Sequence, residues 1–326
     1  MSPLNRRNLI TSTASALVGF SPFAWAMFPA KPVKIIVPWA PGGSTDAIAR
    51  ALAQSLTEST RQTFLVDNKP GAAAQIGTDA AAKSAPDGYT LAIVELPHVI
   101  APAVVAKLPY DVLRDFAPIT LLGTSPVILF TGTGPESVDL KTFVTTSLAA
   151  NAPPAIAHSG SGTVSHLVGE MFAASSKIKF NQVPYRGSAP ALTDVAAGLV
   201  AGHFATLASG AALLSGGKIR AIAVAGKSRM DPPALRNVPT FAELGYKDFE
   251  VNQWWALVAP ATTPVDTLEY LRSESIGAIA SPKVQERLSS LGVDLKGSSR
   301  DQLRGFMRSE AERWQAVAKG IGLQPQ

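Results

Sequence analysis

Two short stretches of this chain have the residue types that hold an anion on backbone groups. In Val33 to Asp46, read as VKIIVPWAPGGSTD, Gly42 and Gly43 open the backbone, and Ser44, Thr45 and Asp46 are each able to cap a following helix. The first N–H groups of a helix have no partner inside it, and the aligned peptide dipoles add partial positive charge. A carboxylate or phosphate is therefore favoured beside them. Gly160, Gly162 and Thr163 in GSGTVSHLVGEMFAAS repeat the arrangement, with His166 in the first turn. A third turn, Gly71, Ala72 and Ala73 in NKPGAAAQIGTDAAAKS, leads small side chains into an alanine-rich helix and leaves room beside it. The same residues also serve ordinary βα connections that bind nothing, so their meaning depends on whether they share a cleft.

Other chemistry is largely excluded by spacing. Glu95 ends the strand-like run PDGYTLAIVE. It is either a solvated strand-end charge or a group that repels an anionic ligand and takes an ammonium or a hydrogen-bond donor. His98, His158, His166 and His203 form no H-x-H, H-x-x-x-H or H-E-x-x-H pair, so no metal or cofactor is expected. His166 is the one histidine placed near a ligand, with capping or packing as its alternative role. Ser159-Gly160-Ser161-Gly162 lacks the flanking glycines of a nucleophile elbow, and Gly226-Lys227-Ser228 has Ala221 where a P-loop needs glycine. Nothing reads as G-x-G-x-x-G after a strand, which removes the dinucleotide reading. An exported hydrolase using Ser161, Ser165 and His166 is the competing reading to a binding protein.

The elements that must position these turns alternate. A strand from Val33, a helix over Ala47 to Thr60, a strand over Phe64 to Asp67, a helix from about Ala73 to Lys83 and a third strand ending at Glu95 predict a parallel sheet with crossover helices. Ligands in such sheets sit beyond the carboxyl ends of the strands, which directs the first-half turns and Glu95 to one crevice. Two apolar runs between Phe116 and Thr131 mark a crossing into a second α/β unit. That unit opens with a helix over Ser137 to Ala150, capped by Ser137, and then a strand in PPAIAHS. Strands ending at Tyr185, in LVAGHFATL and over Lys218 to Ala225 follow, with helices between them. FEVNQWWALVAP carries the chain back, with at least one of Trp254 and Trp255 in the core. Helices over Thr263 to Ala280, Pro282 to Leu291 and Ser299 to Lys319 complete the first unit. The expected domains are 27–124 with 250–326, and 125–249, the plan of a hinged cleft.

The chain has 326 residues, 46% hydrophobic and 16% charged, enough for a sizeable core in one or two soluble domains. Its 25 prolines and 26 glycines are dispersed, as many short connections require. Residues 1–26 read as an export signal: Arg6 and Arg7, an apolar stretch from Leu9 to Phe20, and Ala24-Trp25-Ala26 with cleavage after Ala26. The paired arginines leave Sec and twin-arginine export both open. Either route delivers the protein to the periplasm. Removing this segment lowers the formal charge from +5 to +3, dispersed over the chain without a basic stripe, so nucleic acid is not an expected partner. The absence of cysteine excludes disulfides, thiolate metal sites and a cysteine nucleophile.

PWAPGGSTDAIAR, NKPGAAAQIGTDAAAKSAPDGYTL, GSGTVSHLVGEMF, VPYRGSAPALTDVAAG, VPTFAELG and WWALVAPATTP, in that order, resemble the successive motifs of the Bug family, the solute receptors of tripartite tricarboxylate transporters. The resemblance implies an α/β two-domain periplasmic-binding-protein fold of type II-like plan, with mixed sheets and a ligand cleft between the domains. It implies a small carboxylate ligand, a dicarboxylate, amino acid or aromatic acid, delivered by a monomer to integral membrane permease subunits. Carried onto this sequence, the ligand-holding loops are those at Gly43, Ser44 and Thr45 and at Gly71, Ala72 and Ala73, with Gly162, Thr163 and His166 closing from the second domain. Glu95 followed by Leu96-Pro97 departs from the family's small residues, which favours an amino acid or amide-bearing ligand over a simple dicarboxylate. A sensor that signals to a membrane partner would need the same cleft.

Overall fold

The computed structural model describes residues 28–322, so the expected export signal lies outside the described residues. The first part of the chain runs β1 (Val33–Val37), α1 (Ser44–Thr60), β2 (Phe64–Asn68), α2 (Gln75–Ala82), β3 (Thr90–Glu95), α3 (Leu96–Val104) and β4 (Phe116–Pro126). Next come β5 (Ile128–Thr131), α4 (Leu140–Ala149), β6 (Ala155–His158), α5 (Val164–Ser176) and β7 (Asn181–Pro184). They are followed by α6 (Ser188–Ala196), β8 (Gly202–Ala205), α7 (Leu207–Ser215) and β9 (Arg220–Val224). The chain returns through β10 (Asn252–Pro260), α8 (Val265–Ala280), α9 (Pro282–Ser290), β11 (Asp294–Leu295) and α10 (Arg300–Gly320).

Two mixed sheets result. The larger has the order β11-β4-β10-β3-β1-β2, with β1 parallel to β2 and β3, and β10 antiparallel to β3 and β4. The smaller has the order β7-β6-β8-β5-β9, with β6 parallel to β7 and β8 and β5 antiparallel to β8 and β9. Two crossings join them side by side: Val127 N–H donates to Val251 O at 3.0 Å, Val251 N–H to Ala225 O at 2.8 Å, and Ala225 N–H to Val127 O at 2.7 Å.

The long return strand β10 is central, which explains its tryptophans. Successive side chains of a strand point to opposite faces. Trp254 and Trp255 are both buried, one in each of the two clusters that flank the sheet. The Trp255 cluster joins α1, α8 and α9; the Trp254 cluster joins α3 and α10 and continues to the aromatic group around Phe172 in the second sheet's layer.

Three local expectations need correction. Helix α4 starts at Leu140, and Asp139 caps it by accepting from Thr142 N–H at 2.7 Å; Ser137 belongs to a short 3-10 turn over Pro135–Ser137 instead. Helix α2 starts two residues late because Ala72, Ala73 and Ala74 all take left-handed backbone, with φ of 46°, 49° and 78°. Helix α3 has no counterpart in the sequence reading: prolines 97 and 102 look like breakers, yet Pro97 sits in the first turn, where no N–H is needed.

Candidate functional site

Between the two sheets lies a pocket of about 620 Å³ of space unfilled by atoms. Its wall is built by helix starts. The N-cap residues of five helices line it: Gly43 of α1 and Glu95 of α3 from the larger sheet, and Thr163 of α5, Gly187 of α6 and Thr206 of α7 from the smaller. Each helix follows a strand of its sheet, so its first-turn N–H groups, which lack the i−4 carbonyl partners of the helix interior, and its positive dipole end lie at one level of the fold. Among the described residues no lysine or arginine lines the pocket, and Glu95 is its one ionisable side chain.

Glu95 is 2% exposed. Its Oε2 accepts from Thr45 Oγ1 at 3.0 Å and from Gln253 Nε2. Thr45 Oγ1 in turn accepts from Trp255 Nε1 at 3.2 Å, which leaves the hydroxyl proton for Glu95. Burial pushes the Glu95 carboxyl up to about 8, against the lowering effect of these donors. Behind it, His98 Nδ1 accepts from Glu95 N–H at 3.0 Å, and His98 Nε2 meets Thr78 Oγ1 at 2.9 Å. Because Thr78 gives its own proton to Ala74 O at 2.8 Å, the imidazole proton belongs on Nε2. Burial holds His98 neutral, with its pKa pushed down to about 4. This chain ties the left-handed turn at 72–74 to the backbone of Glu95.

The opposite wall is hydroxyl-rich and internally ordered. His203 Nδ1 lies 2.9 Å from Ala157 O and so carries the proton; its Nε2 accepts from Ser188 Oγ at 3.1 Å, and Ser188 receives Ser159 Oγ at 3.1 Å. Ser165 Oγ accepts from Ser159 N–H at 2.9 Å. Three polar atoms of lining residues have no partner among the described residues: Trp39 Nε1, Thr206 Oγ1 and Gln253 Oε1.

Of the residues singled out from sequence, Gly43, Ser44, Thr45, Glu95 and Thr163 line this pocket. Asp46 lies beside it but turns away. Its carboxylate accepts from Gly42 N–H at 3.1 Å, Arg50 Nε at 3.0 Å and Asn68 Nδ2 at 3.0 Å. Burial would raise its pKa, and these hydrogen bonds with the Arg50 charge hold it below the ordinary value. Gly71, Ala72 and Ala73 are off the pocket wall, although Ala73 faces the second half: a Cβ on Gly160 would stand 3.2 Å from Ala73 Cβ. Gly162 is set against α3, where a Cβ would stand 2.5 Å from Val104 Cγ2. His166 Nδ1 accepts from Gly162 N–H at 3.2 Å and its Nε2 is 3.9 Å from Glu170, so it braces the loop. It does not hydrogen-bond Ser165, and Ser161 is not on the pocket wall.

Sequence reasoning did not place the starts of α6 and α7, or Gln253, in the site. Gly187-Ser188 before a helix is the same signal as Gly43-Ser44, and Thr206 before Leu207 is an ordinary cap pattern. Gln253 had no local signal, since only the register of β10 against β3 brings it to Glu95.

Residues 48–323 match the model of the tripartite tricarboxylate transporter family receptor. The chain is 35% identical to Protein BugT of Bordetella pertussis over 305 residues, 93% of each chain. Among solved structures, periplasmic binding protein BugD superposes with a TM-score of 0.87 at 31% identity, covering 92% of this chain and 100% of that one. MatC from Rhodopseudomonas palustris with bound malate superposes with a TM-score of 0.84 at 30% identity, covering 89% and 99%.

Proposed function

The chain belongs to the family of tripartite tricarboxylate transporter receptors, and we propose that it captures a small organic carboxylate between its two halves and delivers it to the membrane subunits of such a transporter. Its relatives are binding receptors, and it is a receptor rather than an enzyme. One observation carries the ligand class: five helix N-termini surround a pocket whose wall, among the described residues, has no lysine or arginine. Backbone donors and dipole ends, with the hydroxyls and the Trp39 indole N–H of the wall, are what remains to hold a carboxylate there. The malate bound to MatC is in keeping with this reading.

On this reading the domains are 27–124 with 250–326, and 125–249, and the protein is exported with cleavage after Ala26 and works as a monomer. Ser44, Thr45 and Thr163 contact the ligand directly, whereas Gly71, Ala72 and Ala73 set the distance between the halves. The test is thermal unfolding of ligand-stripped protein 27–326 with mono-, di- and tricarboxylates, amino acids and aromatic acids. A ligand at 100 times its dissociation constant adds about 2.7 kcal/mol to stability, which raises the midpoint measurably. The shift is expected for one chemical class and is lost in Thr163→Phe, which fills the pocket. Cells lacking the gene are expected to lose uptake of the same compound. A shift that survives Thr163→Phe would place the ligand elsewhere, and unchanged uptake would remove the transport role.

A further inference from the structure

We propose that Glu95 and the Gln253 amide oxygen form an acceptor pair for an ammonium group of the ligand, so that this receptor selects amino-bearing carboxylates over the same skeletons without nitrogen. The inference rests on the carboxylate-receptor reading and names the second group that the ligand must carry.

The pocket's unspent hydrogen-bonding capacity is divided. Trp39 Nε1 and the helix N-termini offer donors, which a carboxylate accepts. Gln253 offers the reverse. Its Nε2 is committed to Glu95 Oε2, so its Oε1, in a residue 8% exposed, is an acceptor without a partner among the described residues. An acceptor buried in this way is costly until a donor meets it. Glu95 adds a carboxyl in direct contact with the same amide, and it faces no lysine or arginine. A pocket that offers both donors and acceptors matches a molecule with both a carboxylate and an ammonium.

The neighbours of Glu95 do not offer a substitute cation. From α1, Asp46 is engaged by Arg50 and Asn68. From α3, neutral His98 accepts from the Glu95 backbone. From β10, Gln253 and Trp255 are uncharged. A second ligand carboxylate meets Glu95 only through the one proton that burial keeps on it, and it brings no donor to Gln253 Oε1. An ammonium does the opposite: it stabilises the ionised form, and the proton that burial keeps on Glu95 leaves to the buffer as the ion pair forms.

The experiment uses ligand-stripped protein 27–326 and matched pairs: L-aspartate and succinate, L-glutamate and glutarate, 4-aminomethylbenzoate and 4-methylbenzoate. Isothermal titration at pH 7 in two buffers of different ionisation enthalpy reads affinity and protons exchanged together. In any pair that binds, the amino member is expected to bind about tenfold tighter or more, with net proton release. Glu95→Gln is expected to reduce that preference to within about threefold and abolish the release, while Gln253→Met weakens the amino member selectively. Should Glu95→Gln fail to fold, the sign of the proton exchange in the unaltered protein still decides. Tighter or equal binding of the nitrogen-free member, or proton uptake with the amino member, overturns the proposal. Failure of every pair to bind would sink the carboxylate reading itself, and this inference with it.

Discussion

A carboxyl group that is 2% exposed, without a lysine or arginine beside it, makes the ligand-free protein sensitive to pH. Burial raises the Glu95 pKa from 4.5 in an open chain to about 8 in the fold. The folded state then holds a proton that the unfolded state has lost. Stability from this group is present in full below pH 4.5 and declines as pH rises to about 8. Glu95→Gln keeps the shape and cannot ionise. Urea unfolding of both proteins is expected to show the variant gaining on the parent by a few kcal/mol between pH 5 and pH 8.5. The buried histidines do not confuse the comparison. His98 and His203, both pushed down to about 4 by burial, lose their contribution on the acid side and are shared by the two proteins. A constant difference between the two unfolding curves across this range would mean that Glu95 ionises as freely in the fold as outside it.

At the scale of elements, two turns meet across the cleft. The 71–74 turn reaches Gly160, and α3 reaches Gly162 through Val104. Three consecutive left-handed alanines cost about 1–2 kcal/mol each, and the Thr78 and His98 hydrogen bonds to Ala74 O and the Glu95 backbone hold them in place. Gly162 has φ of 79°, and a Cβ there would press on Val104. Gly162→Val is therefore expected to weaken ligand binding tenfold or more by propping the halves apart, an effect of at least about 1.4 kcal/mol. Circular dichroism should still report the folded spectrum, because the left-handed strain of one loop residue, about 1–2 kcal/mol, is small beside the stability of a domain. Unchanged affinity would mean that these turns do not approach in the bound state. Much of this layout was legible in the sequence: strand runs, helix periods and glycine turns placed β1, α1, β3 and α5, and the Bug-like motifs gave the two-sheet plan. What was not legible depends on context. Pro97 in α3 reads as a breaker until its first-turn position is known, and Ala73 and Ala74 read as helix because alanine has no preference for left-handed backbone. Gln253 enters the site only through strand register.

At the scale of the molecule, the positive ends of two helices from one half and three from the other surround a single space. Like partial charges brought together without a counter-charge oppose closing; an anion between them favours it. The ligand is then part of what holds the halves together, beside the apolar cluster that runs from one to the other. One such contact links the N-terminus of α1 to α7: Ser44 N–H donates to Ser209 Oγ at 3.2 Å. Since this bond spans the cleft, Ser209→Ala is expected to leave the unfolding midpoint of ligand-free, open protein unchanged while lowering affinity about fivefold, the loss of about 1 kcal/mol from the closed state alone. Small-angle scattering should show a smaller decrease in radius of gyration at a fixed subsaturating ligand concentration, and the same decrease at saturation. An equal loss of stability with and without ligand would instead place the bond in both states, and the crossings at Val127, Ala225 and Val251 would then connect halves that stay together whether or not the cleft is filled.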